Sequence, residues 1–238
     1  MRYLLFAFLF CFCGVINAQV FEYLPNDTTT FVEFRKGQQW AYKTIRNLTV
    51  GMTVKYVKDE YGKYYQIHIY VENDNKWTFV FNPDRISAVI ETKRNKKIPL
   101  LVYSYDRYMN KVKHHQAWEM AVGSFAVGIN TGLAGHKTAH VNGWSPSTGF
   151  YSGTVSYYDS GAATSAAIQG GRYLDYLEEK NEYKRNTHSL NYLQKTSVRS
   201  GEHLFGHVKV KRKKGNILHV SVPFAGSDYN YDWKITNK

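Results

Sequence analysis

The stretch from Ala117 to Ala134 constrains this chain more than any other, because eighteen residues pass with Glu119 as the only charge. At helical spacing Trp118, Val122, Phe125, Ile129 and Leu133 form a bulky stripe, and Ala117, Ala121, Ser124, Gly128 and Gly132 form a stripe of small residues beside it. Two stripes predict two neighbours. Glycine costs up to ~1 kcal/mol in a helix interior, so Gly123, Gly128 and Gly132 together predict a second backbone packed close by. That partner follows a loop, where Asp159 or Ser160 is placed to cap a second helix that begins with Gly161, Ala162 and Ala163. In an antiparallel hairpin the basic Arg107, Lys111, Lys113, His114 and His115 come into range of Asp175, Glu178, Glu179 and Glu182.

Around this hairpin the chain reads as β-structure. Runs at 30–35, 39–45, 49–58, 63–72, 76–81 and 98–104 precede it, and runs at 203–212, 216–223 and 227–235 follow it. The clearest alternation sets Tyr65, Ile67, Ile69 and Val71 against Gln66, His68, Tyr70 and Glu72, the period of a half-buried strand. Three late strands make a poor domain alone, so they are expected to complete the sheets begun before residue 105. The fold class is therefore α+β, mainly β: an antiparallel β-sandwich with a long antiparallel helical hairpin inserted. The boundaries read as a flexible arm over 19–28 and one composite domain over 29–238. Within it the sandwich takes 29–104 and 196–238, and the hairpin takes 105–195, with a Gly, Ser and Thr-rich loop over 135–158.

Residues 1–18 carry Arg2, an apolar run from Tyr3 to Val15, and Ala18 before Gln19, the layout of a cleavable export signal. Both cysteines, Cys11 and Cys13, lie inside it, which leaves no thiol or disulfide for the rest of the chain. The formal net charge of +12 favours anionic surfaces. Placed outside the cytoplasm, whether in a periplasm or at a bacterial cell surface, such a charge points to lipid headgroups, lipopolysaccharide or acidic glycans rather than to nucleic acid.

Two stretches carry a resemblance. The run from Tyr65 to Asn73, followed by Phe79 to Pro83, is similar to the strand, Asn turn and Phe-x-Pro step of exported immunoglobulin-like sandwich domains. Ser200-Gly201-Glu202 followed by Gly206-His207-Val208-Lys209-Val210-Lys211 resembles the late hairpin of the same type, with Ser200 in place of a usual proline. Gln116 and Trp118, leading into a helix of small residues, are similar to a feature of uncharacterised envelope proteins of Bacteroidota-type bacteria. The resemblance covers about a third of the chain and implies an immunoglobulin-like sandwich and export. It transfers no active site.

Candidate chemistry is sparse. No Gly-x-Ser-x-Gly elbow, His-Glu-x-x-His pair or phosphate loop occurs. His203 and His207 on one strand would stand ~13 Å apart, too far to share a zinc ion. His136 and His140 lack a helix to bring them together, and His115 and Glu119, one helical turn apart, could supply two metal ligands, but an ion-paired helix face is the reading preferred for them. No cofactor is implied. The aromatics Trp144, Phe150, Tyr151 and Tyr157 of the connecting loop are candidates for partner contact. Lys209, Lys211, Arg212 and Lys213 are candidates for an anionic surface, and lysines at a strand end also guard an edge against aggregation. The sequence thus predicts a non-catalytic exported envelope protein, a binding or assembly module for an envelope protein, glycan or anionic surface. The alternatives are a glycan-active or metal-dependent hydrolase and a membrane-inserted oligomer built on the small-residue helix.

Overall fold

The computed structural model describes residues 19–25, 27, 29–145 and 149–237, so the export segment expected over 1–18 lies outside the described residues. In order the strands are β1 (Gln19–Leu24), β2 (Thr30–Arg35), β3 (Gln38–Ile45), β4 (Leu48–Asp59), β5 (Gly62–Asn73), β6 (Phe79–Phe81), β7 (Ser87–Glu91), β8 (Lys97–Leu100) and β9 (Val102–Tyr103). Helix α1 (Tyr105–Ala134), strands β10 (His136–Ser145) and β11 (Gly149–Tyr158), and helix α2 (Ser160–Ser189) follow. The chain closes with β12 (Thr196–Val198), β13 (His203–Lys211), β14 (Ile217–Phe224) and β15 (Ser227–Asn237). The fold is mainly β, with antiparallel sheets and two long helices.

The chain divides into two compact units, one made of residues up to 108 and from 191 onward, the other of residues 109–190. In the first unit a five-stranded sheet runs β1-β15-β14-β7-β8 and a six-stranded sheet runs β2-β3-β4-β5-β13-β9. Both sheets interleave early and late strands, because β13 sits between β5 and β9 while β15 and β14 sit between β1 and β7. Two-residue turns set the registers. Lys36-Gly37, Arg46-Asn47 and Ala225-Gly226 all take positive φ, the conformation whose twist matches that of the flanking strands. Asp59 closes the β4–β5 turn by accepting from the Tyr61 amide at 2.9 Å.

The core lies between the two sheets. Val50, Met52, Ile67, Ile69 and Val71 of the six-stranded sheet and Leu218, Val222, Tyr231 and Trp233 of the other are buried to 2% exposure or less. Burying tyrosine requires a partner for each hydroxyl, and β15 supplies this by donating across the core to β4. Tyr231 reaches the Val50 carbonyl at 2.6 Å and Tyr229 the Leu48 carbonyl at 3.0 Å.

Two segments differ from expectation. Over 19–24 the structure has a strand in place of a flexible arm: Phe21 and Tyr23 alternate inward, and β1 pairs along its whole length with β15. Over 135–158 it has a β-hairpin of two ten-residue strands in place of a loop, paired from His136 with Tyr158 to Ser145 with Gly149. Thr138, Val141, Thr154 and Val155 are β-branched and outweigh the glycines that suggested irregular chain.

Candidate functional site

Lys209 is the largest correction to the sequence reading. Its side chain is only 4% exposed, inside the first unit rather than on an anionic surface, and its ammonium donates to Asp59 Oδ2 at 2.7 Å. Tyr108 Oη donates to the same carboxylate oxygen at 2.8 Å, and the ammonium sits 4.1 Å from the centre of the Tyr108 ring. Burial pushes the Asp59 carboxyl up, but Lys209 and the Tyr108 hydroxyl more than reverse this and hold it below its ordinary value. The Tyr108 hydroxyl is pushed up by burial and by Asp59. Strand alternation predicts Lys209, Lys211 and Lys213 on one face, but β13 ends at Lys211. The middle of that face is covered, with Tyr192 ring-stacked on Tyr108 at 5.5 Å and hydrogen-bonded to the Lys209 amide at 3.2 Å. Lys211 and Lys213 are exposed, and the half-buried Arg212 holds its guanidinium 5.0 Å from the Tyr56 ring.

On the same outer sheet face, nearer β2, aromatic rings form a continuous belt. Phe31 meets Tyr42 at 6.3 Å, Tyr42 meets Trp40 at 5.9 Å and Tyr70 at 6.3 Å, and Trp40 meets Phe205 at 6.1 Å. His68 stacks on Phe205 at 6.0 Å. Burial, helped by Lys55, pulls its imidazole down to about 4. Gly51 lies at the centre of the belt, where a Cβ would stand 2.4 Å from Tyr42 Cε1, so the tyrosine ring lies directly across β4. A cleft of about 380 Å³ opens there, lined by Phe31, Glu33, Arg35, Tyr42, Tyr70 and Glu72 with Thr29, Thr44 and Thr49. Alternation within each strand puts these residues on one face, but only pairing of β2, β3, β4 and β5 brings them together.

In the second unit neither stripe of α1 forms the seam with α2, and only Leu133 at the end of the bulky stripe borders the groove between the helices. The seam instead runs through Gln116, Gly123 and Val127. Gln116 donates to the Asn181 carbonyl at 2.9 Å and accepts from Arg185 at 2.9 Å. A Cβ on Gly123 would meet Leu177 at 3.0 Å, and one on Gly170 would meet Val127 Cγ1 at 2.2 Å. Gly128 and Gly132 have nothing near them. The bulky stripe therefore faces outward: Trp118 and Phe125 are each 70% exposed, Leu133 is 65% exposed, and Val122 and Ile129 are close to half.

Of the metal candidates, His115 is exposed and Glu119 is ion-paired with Lys180 of α2 at 3.0 Å, a pair with the opposite polarity to the basic-to-acidic register expected. Among the described residues no group of three or more His, Cys, Asp or Glu side chains is placed to hold a metal ion. Trp144, Phe150 and Tyr151 belong to the β10–β11 hairpin, but their side chains lie outside the described ones; Tyr157 is exposed. His219, which the sequence reading passed over, is gripped on both sides. Its Nδ1 lies 2.6 Å from Asp232 and its Nε2 3.1 Å from Glu91. Both ring nitrogens are thus turned to carboxylates rather than to Ser87 or Ser221 of the same cavity. Among the described residues no helix is long and apolar enough to cross a membrane.

No family model, curated protein or solved structure matches this chain.

Proposed function

We propose that the protein is an exported, non-catalytic binding and assembly module, an immunoglobulin-like sandwich whose helical unit docks onto another protein of the cell envelope. The observation that carries this reading is the outward stripe of Trp118, Val122, Phe125, Ile129 and Leu133. Those five side chains expose on the order of 500 Å² of apolar surface, the size of patch that marks an interaction site rather than scattered exposure. No charge interrupts it, because Glu119 turns toward Lys180. Trp118 is of a residue type enriched among the few that dominate binding energy, and Phe125 of a type enriched at protein interfaces.

Export rests on the layout of residues 1–18, and the immunoglobulin-like reading on two antiparallel sheets joined through an apolar core. Contact with an anionic surface, lipid or lipopolysaccharide, now falls to Lys211, Arg212 and Lys213. Binding to anionic vesicles that weakens as salt rises is the result expected of that trio, and salt-independent binding would count against it.

The docking reading is tested by cross-linking envelope extract to the chain beginning at Gln19 and to its Trp118→Ser/Phe125→Ser variant. Loss of a specific cross-linked partner with helicity retained is expected. The same partner at the same yield in both would end the proposal. A parallel Tyr157→Ser variant reports whether the β-hairpin contributes.

A further inference from the structure

We propose that the outer face of the six-stranded sheet carries a saccharide-binding site, the cleft between β2 and β5, independent of the helical stripe. Saccharides are recognised by aromatic rings that stack on the C–H face of a sugar and by planar polar groups that take its hydroxyls in pairs. The cleft supplies both. Phe31, Tyr42 and Tyr70 present rings, and Glu33, Arg35 and Glu72 present planar groups between them. Burial first and then the neighbouring Glu33 push the Tyr42 hydroxyl up, and burial and Glu72 do the same to Tyr70, so each carboxylate stands beside a phenol and keeps acceptor capacity for a ligand hydroxyl.

Charge and size narrow the ligand. Arg35 is ion-paired with Glu33, and its guanidinium lies 5.8 Å from the Tyr42 ring centre, so the place a cationic ligand would take over that ring is filled from within. Two carboxylates against one guanidinium leave the cleft weakly negative on a chain of net charge +12, which disfavours an acidic sugar and leaves a neutral one. A volume of about 380 Å³ lies at the small end of ligand sites and suits one or two sugar rings. The Tyr42 wall is already set. Tyr42 is seated on Gly51 and braced by Trp40 and Tyr70, so little side-chain freedom remains to be lost on binding.

Saturation-transfer NMR on the chain beginning at Gln19 tests this, with neutral di- and trisaccharides of glucose, galactose, mannose and N-acetylglucosamine, a sialylated trisaccharide, and a trilysine peptide as probes. At least one neutral probe is expected to bind at millimolar concentration or tighter. Tyr42→Ala and the near-isosteric Glu72→Gln are expected to weaken it ten-fold or more, and Trp118→Ser/Phe125→Ser is expected to leave it unchanged. Binding of trilysine or the sialylated probe alone, no binding of any neutral probe, or neutral-sugar binding that survives both cleft substitutions would overturn the proposal. Because Glu72→Gln keeps shape and volume, its effect is readable even where Tyr42→Ala unsettles the sheet.

Discussion

A single buried ion shows how far a residue's neighbours govern its role. Removing the Lys209 side chain would strand the Asp59 carboxylate and the Tyr108 hydroxyl in a site they were desolvated to share, and breaking one partner of a buried pair costs ~3–5 kcal/mol. Lys209→Ala is therefore expected to lower the urea midpoint strongly, whereas Lys211→Ala on the exposed end of the same strand is expected to leave it nearly unchanged. His68 gives the pH dependence. Its folded ring titrates at about 4, pulled down first by burial and then by Lys55, while an unfolded histidine titrates near 6.5. The unfolded chain thus binds the proton first as pH falls. The stability contributed by the neutral ring is complete above pH ~6.5 and is lost progressively toward pH ~4, up to ~3 kcal/mol less what partial solvation screens. Urea titrations of wild type and His68→Gln between those limits are expected to show a flatter pH profile for the variant.

Among the elements, the two helices separate propensity from packing. Gly128 has open space where a Cβ would go, so Gly128→Ala is expected to stabilise the helical unit by up to ~1 kcal/mol. Gly170 is pressed against Val127, whose branched side chain has little freedom to rotate away, and Gly170→Ala is expected to destabilise by ~1–3 kcal/mol despite the same gain in propensity. Thermal melts followed by the helical circular dichroism signal separate the two outcomes. The helices themselves were legible, since the Asp159 cap marks the start of α2 and the stretch with a single charge runs to the end of α1 at Ala134. Their facing was not. A helix with a bulky stripe and a small stripe offers two plausible seams, and the seam that formed follows Gln116, Gly123 and Val127, where hydrogen bonding to α2 and close approach coincide. The β10–β11 hairpin was missed because Gly and Ser weigh toward irregular chain when counted, whereas pairing rewards the β-branched residues between them.

For the whole molecule, sheet order carries the strongest consequence. Strands from both ends of the chain lie in the interior of both sheets, so a chain ending before His203 would lose one neighbour of β5 and of β7 and the sole sheet partner of β1 and of β9 together. Such a truncation is expected to yield no cooperative unfolding transition by circular dichroism, rather than a weakened fold. The sequence alone determined that the late strands return to the early sheets, because three strands cannot bury a face by themselves, and it determined most strand positions through their period-two pattern. It also placed the two helices between those halves. Which face of each element meets which neighbour was decided only by tertiary packing: Lys209 went inward, the Trp118 stripe outward, and the aromatic belt around Tyr42 came together from four strands. The reason is physical. Periodicity and turn chemistry are local and act on each segment separately, whereas burial is shared among segments distant in sequence and is settled only when they assemble.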